Sequence, residues 1–195
     1  MKTKPYHSFG RFILPLALLA LGACATAPKT FSTVDPSVDF SQYKTYGFIG
    51  KLSTDNEEYE SLVTNFLKVA TAQEMDLRGF EYSKNPQLLV NFYINTEEKI
   101  RSRSVPTAGG YYGYRDPFYG GMGGYGTNYE TQVTQYTEGT LNIDVVDSGT
   151  RKIVWEGAVV GRITEDVLNN LEKKIDGAVT VVFKEFPIQP PVAQN

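Results

Sequence analysis

Histidine and cysteine are almost missing from this sequence. There is one of each in 195 residues, His7 and Cys24, both near the N-terminus. Beyond them the chain has no imidazole base, no Ser-His-Asp or Cys-His pair, no disulfide and almost no zinc or copper ligand set. No metal and no cofactor is therefore expected. Positive charge is not in excess either: 19 Lys and Arg stand against 22 Asp and Glu, a net charge of −3. A mildly acidic chain lacks the clustered cations that hold nucleic acid, so no nucleic-acid partner is expected. The longest apolar run falls short of the roughly 20 residues that a membrane-spanning helix needs.

What is present begins with an export signal. Residues 1–11 carry Lys2, Lys4 and Arg11 and no acid, residues 12–20 are apolar around Pro15, and Leu21-Gly22-Ala23-Cys24 follows. A cationic start, a short apolar stretch and small residues before a cut describe a signal peptide over residues 1–23. Leu-Gly-Ala-Cys also resembles the bacterial lipobox, whose cysteine is acylated and becomes the mature N-terminus. Cys24 is thus the expected lipidation site, and the anchored membrane is the first expected partner. Ala25 in place of Asp favours, by resemblance to sorting in Gram-negative bacteria, the outer membrane, with the protein facing the periplasm. Acyl chains at about 0.8 kcal/mol per buried CH₂ give a durable anchor. Losing the signal removes three cations and no acid, which leaves 172 residues at a net charge of −6. That length suits one domain.

Residues 24–30 read as a tether, 31–187 as a single domain and 188–195 as a loose tail. Stretches 31–34 and 45–49 have strand character, separated by Asp-Pro-Ser and Asp-Phe-Ser turn chemistry. Over 57–78 the apolar residues Tyr59, Leu62, Val63, Phe66, Leu67, Ala70 and Leu77 recur at helical spacing. Thr54 and Glu57 match a capping box, and Gly79 is the stop. Leu88, Val90, Phe92 and Ile94 alternate with Leu89, Asn91, Tyr93 and Asn95 in a strand with one fully apolar face, running on toward Arg103. A second strand covers 129–146, with Gly139 as a bulge candidate. A tight turn at 147–150 leads into a third strand over 152–162. A second helix spans 165–183, capped by Thr164, with Val167, Leu168, Leu171, Ile175, Ala178, Val179 and Val182 on its apolar face. These elements predict an α+β fold: an antiparallel sheet of four to six strands with two helices packed on one face, Phe66 and Leu171 buried beneath them.

Residues 109–126 differ in kind. Eight of these 18 are Gly and six are aromatic: Tyr111, Tyr112, Tyr114, Phe118, Tyr119 and Tyr125. Glycine-rich chain is costly to order, so a mobile hairpin loop is expected, its aromatics candidates for binding a protein or glycan partner. The loop lacks the GK[ST] ending and strand–helix setting of a phosphate loop.

Two blocks carry a family resemblance. One is Asp35-Pro36-Ser37-Val38-Asp39-Phe40-Ser41-Gln42-Tyr43-Lys44-Thr45-Tyr46. The other runs from Glu138 to Asp147 and on through Lys152-Ile153-Val154-Trp155-Glu156-Gly157. With the lipobox and a closing Phe186-Pro187, they resemble the bacterial lipoprotein family known as domain of unknown function 4136, over about 31–187. The resemblance implies an α+β lipoprotein of the Gram-negative envelope and supplies no catalytic residue.

Only carboxylates remain as candidate catalysts. Asp144 and Asp147, three apart on a strand, point to opposite faces, which does not make an acid/base dyad. Asp35 and Asp39 suit turns better than a Ca²⁺ site, and Trp155 reads as core. The leading expectation is a non-catalytic envelope lipoprotein that serves as a binding or structural module. The alternatives are a carboxylate-only glycan hydrolase, which needs two carboxyls across a cleft, and a lipid-handling accessory of an envelope transport complex, which needs an apolar groove between helices and sheet.

Overall fold

The computed structural model describes residues 28–55, 58–107 and 128–191. Cys24 and all six loop aromatics lie outside them. The order of elements is β1 (Lys29–Val34), a 3₁₀ turn (Phe40–Gln42), β2 (Thr45–Phe48), α1 (Leu62–Leu77), β3 (Glu81–Tyr82), β4 (Leu88–Thr107), β5 (Asn128–Asp147), β6 (Ile153–Ile163), α2 (Glu165–Asn169) and α3 (Leu171–Phe183). The class is α+β. One six-stranded sheet runs β1-β6-β5-β4-β2-β3.

The sheet is mixed, a correction to the antiparallel expectation. β4, β5, β6 and β1 are antiparallel, but β2 pairs parallel with both β3 and β4. The reason is connectivity: α1 carries the chain from β2 back to its starting edge, so the next strand runs the same way, as in any βαβ crossover. β3, two residues long, is too short to show a period.

Helix α1 begins five residues later than predicted. Its cap is Ser61, whose side chain accepts from Thr64 N at 3.0 Å. Thr54 instead shares a hydrogen bond with Thr64 Oγ1, and Asp55 accepts from Ser61 N, so Thr54 does not cap the helix; its expected partner Glu57 lies outside the described residues. Tyr59 and Leu62 are consequently exposed. The buried stripe is Thr64, Leu67, Ala70, Thr71, Glu74 and Met75, and Phe66 is only half-buried. At the other end Gly79 sits at φ +82°, Phe80 N donates to Met75 O, and Gly79 N donates to Asp76 O. This is a Schellman cap with glycine at the left-handed position.

The second predicted helix is split at Asn170. Its side-chain amide turns back to Asp166 O and Asp166 Oδ1, ending α2 and leaving Leu168 exposed. Leu171, first in α3, is half-buried. The predicted bulge moves too. Gly139 keeps register with Thr96 and Gly161, whereas the irregularity falls where Val145 meets Trp155 and Val146 meets Ile153.

The core centres on aromatic rings. Phe186 lies 5.0 Å from Trp155, 5.4 Å from Phe183 and 5.6 Å from Phe40, ring centre to ring centre. Trp155 is fully buried. α1 and α3 pack on each other, and a buried ion pair at the end of α1 hydrogen-bonds across to α3. Arg78 Nη1 meets Glu74 Oε2 at 2.6 Å, Arg78 Nη2 donates to Phe183 O, and Thr180 Oγ1 donates to Glu74 Oε1. β5 meets β6 only as far as Thr137, so beyond that point β4 and β5 pair with each other alone. This two-stranded ribbon, residues 99–107 and 128–136, is roughly 30 Å long at ~3.4 Å per residue.

Candidate functional site

The rows of cross-strand partners show where a site can lie. Val90, Val145 and Trp155 form one row; Phe92, Ile143 and Gly157 the next; Ile94, Leu141 and Val159 the third; Thr96, Gly139 and Gly161 the fourth. At the second row the helix closes on the sheet. A Cβ on Gly157 would stand 2.5 Å from Val182 Cγ1 and collide with the Trp155 ring. Two rows further out the contact opens. A Cβ on Gly161, or on Gly177 of α3, would meet nothing within 4 Å.

The opening is a groove of about 570 Å³, within the ~300–1,000 Å³ range of small-ligand sites. Its floor is Ile94, Leu141, Val159, Gly139 and Gly161; its far wall is Val167, Leu171, Ile175, Gly177 and Ala178; Leu67 of α1 and Pro28 complete it. Thr140, Arg162, Asn170 and Lys173 also line it, as does Lys174, which pairs with Asp166 at 2.5 Å. That partner, with the Asn170 amide, holds the Asp166 carboxyl below its ordinary range. Such a lining offers area to an aliphatic chain, and its one carboxylate among the described residues, Asp166, is engaged by Lys174. Gly177 is informative because an interior helical glycine costs about 1 kcal/mol relative to alanine. No neighbour requires it; its effect is to keep the groove open.

The carboxylates named from sequence are placed elsewhere. Asp147 faces the turn, accepting from Thr150 N at 2.6 Å and from Tyr43 Oη at 2.7 Å, and these bonds hold its carboxyl below the usual range. Burial, aided by Asp147, pushes the Tyr43 hydroxyl up to about 12. Asp144 lies among the strands beside Asn91, and burial raises its carboxyl. The side-chain hydroxyl and then the backbone N–H of the serine two residues on, Ser37 for Asp35 and Ser41 for Asp39, hold both carboxyls below the ordinary range. Among the described residues no group of three His, Cys, Asp or Glu could hold a metal ion. None of their helices is long and apolar enough to cross a membrane, which says nothing of strands.

The groove was not located by sequence reasoning. Gly161 and Gly177 were its only local signal, and a glycine alone does not say that the space beside it is empty.

Fold and groove together define an α+β module with a mixed sheet and an apolar ligand-sized cleft. The chain belongs to the family described as Domain of unknown function (DUF4136), whose model matches residues 30–188. Comparison with curated proteins found no match. Among solved structures, a PDZ domain protein from Parabacteroides distasonis is similar at 12% identity and a TM-score of 0.52, covering 82% of this chain and 35% of that one. This chain thus spans about a third of that structure's length, and the likeness is one of fold. The PelC dodecamer from Paraburkholderia phytofirmans matches at 8% identity and a TM-score of 0.46, covering 84% and 99%.

Proposed function

We propose that this protein is a non-catalytic lipoprotein of the Gram-negative envelope. It is anchored to the outer membrane through acylated Cys24, faces the periplasm, and holds an aliphatic chain in the groove between α2, α3 and the sheet. In this reading α1 and α3 cover the same face of the sheet, and the groove is the part of that face they leave unfilled. The observation that carries the proposal is the groove itself, whose lining is mostly aliphatic or glycine. It favours lipid handling over glycan hydrolysis. A glycan hydrolase needs two carboxyls about 5–9.5 Å apart across a cleft, and Asp166, the one carboxylate at the groove, is tied to Lys174.

A protein partner is supported by a separate observation. One face of the ribbon exposes Ile100, Val133 and Tyr129 on an arm that, among the described residues, has no third strand paired to it. Such ribbons are marginal alone in water. Crosslinking in intact cells tests this reading, with the ribbon apolar residues replaced by Ser as the control.

The groove is tested with Cys24→Ala protein, which carries no acyl group, and a fluorescent fatty acid. Saturable binding is expected, and Gly177→Trp should abolish it without lowering Tm. Absence of saturable binding would sink the proposal. Fractionation tests the anchor: Cys24→Ala should leave the membrane pellet and fail to incorporate labelled palmitate.

A further inference from the structure

The groove ends where the described chain begins. Pro28 is part of its lining, and Lys29 pairs with Val160, so the chain enters β1 beside Gly161. Residues 25–27 alone separate Pro28 from Cys24. Four Cα–Cα steps at ~3.3–3.6 Å span about 14 Å at most. Whatever is attached to Cys24 is held within that distance of the groove's open end. There the walls recede: Gly161 and Gly177 leave empty the space a side chain would fill. The adjoining surface, Leu141, Val159 and Ile175, is aliphatic.

Resting on the reading that Cys24 is acylated and that the groove takes an aliphatic chain, we propose that the occupant is an acyl chain of Cys24 itself, folded back between β6 and α3 over Gly161. One feature selects it over a lipid drawn from the surrounding membrane. The tether is short, so the chain's own acyl group competes as an intramolecular ligand, at the millimolar effective concentrations of short linkers. The groove then shields from water the part of the protein least tolerant of it, wherever the protein is not embedded in a bilayer.

The test uses cells grown on a fatty acid that bears a photoactivatable diazirine, which is incorporated both at Cys24 and into phospholipid. After irradiation, the purified full-length protein is digested and its crosslinked peptides are identified by mass. The expected result is a Cys24 peptide joined through its acyl chain to peptides of 159–161 or 171–178. Gly177→Trp should reduce that species to background while acylation and Tm are retained. Groove peptides joined only to phospholipid would overturn this inference and leave the proposed function standing. Groove peptides carrying no label, with Cys24 labelled, would overturn the groove reading as well. An unlabelled Cys24 would overturn the anchor.

Discussion

Two ends of one sheet face meet the helices in opposite ways. At the inner end Trp155, Phe183 and Phe186 interlock, and the space over Gly157 is filled by Val182. At the outer end the same strand offers Gly161, the same helix offers Gly177, and no described residue comes within 4 Å of a Cβ built on either. Four residues along β6 thus separate a glycine required by close packing from one that leaves a void. Identical chemistry in the sequence has opposite meaning, and what distinguishes the two is the distance to the facing helix. Packed interiors are filled to crystal-like density, so an unfilled apolar space beside such a core calls for an occupant.

The largest effect is expected at the sealed end, in the buried pair. Glu74→Ala or Arg78→Ala leaves one charge buried without its partner and should cost about 3–5 kcal/mol in urea unfolding. Replacing both, Glu74→Met with Arg78→Leu, should recover most of that loss, because packing substitutes for the pair. If the double variant is as unstable as the singles, the loss comes from the hydrogen bonds the pair makes to Phe183 and Thr180 of α3 and not from an unpaired buried charge.

Next come the two glycines of β6. Gly157→Ala forces α3 off the sheet or displaces the Trp155 ring, an overpacking cost of about 1–3 kcal/mol. Gly161→Ala should lie within about 0.5 kcal/mol of wild type, as substitutions away from packed or strained features do. Equal losses at both positions would end the distinction between sealed and open ends.

Gly177→Ala should be stabilising by about 0.5–1 kcal/mol, since the helix gains and nothing is struck. A destabilising result would show that α3 lies closer to the sheet than the open space indicates.

The smallest effect concerns charge on the sheet. Burial raises the Asp144 carboxyl above its ordinary value of 3.8. Its charged form is thus disfavoured in the folded state, a penalty absent below the unfolded pKa and complete once pH rises past the folded one. Asp144→Asn should therefore raise Tm at pH 7, and the difference should vanish as pH falls below about 3.8. Asp147 has the opposite sign. Its lowered carboxyl stabilises the fold above the unfolded pKa, and that contribution is lost as pH falls through the folded value, so Asp147→Asn should flatten the acid side of the profile.

The antiparallel core of the sheet was legible in the sequence because alternation is a local signal: Leu88, Val90, Phe92 and Ile94 against Leu141, Ile143 and Val145 face one way in both readings. The helix start was misplaced because Thr54 and Ser61 are both good caps by residue type. The choice between them rests on where the apolar stripe can reach the core. The split at Asn170 was hidden for a related reason, since Asn is merely a poor helix former until its amide finds Asp166.

By itself the sequence determined the exclusion of His and thiol chemistry from the domain, the α+β class, the strand faces, the glycine stop after α1 and the family. These follow from composition or from contacts within a few residues. Tertiary structure alone decided the parallel pairing of β2, which depends on where α1 returns the chain, and the Glu74–Arg78 clasp, whose Phe183 and Thr180 partners are over 100 residues away. It also decided the groove. A cavity is an absence, defined by the separation of β6 from α3, and no residue in either element encodes it until the two are brought together.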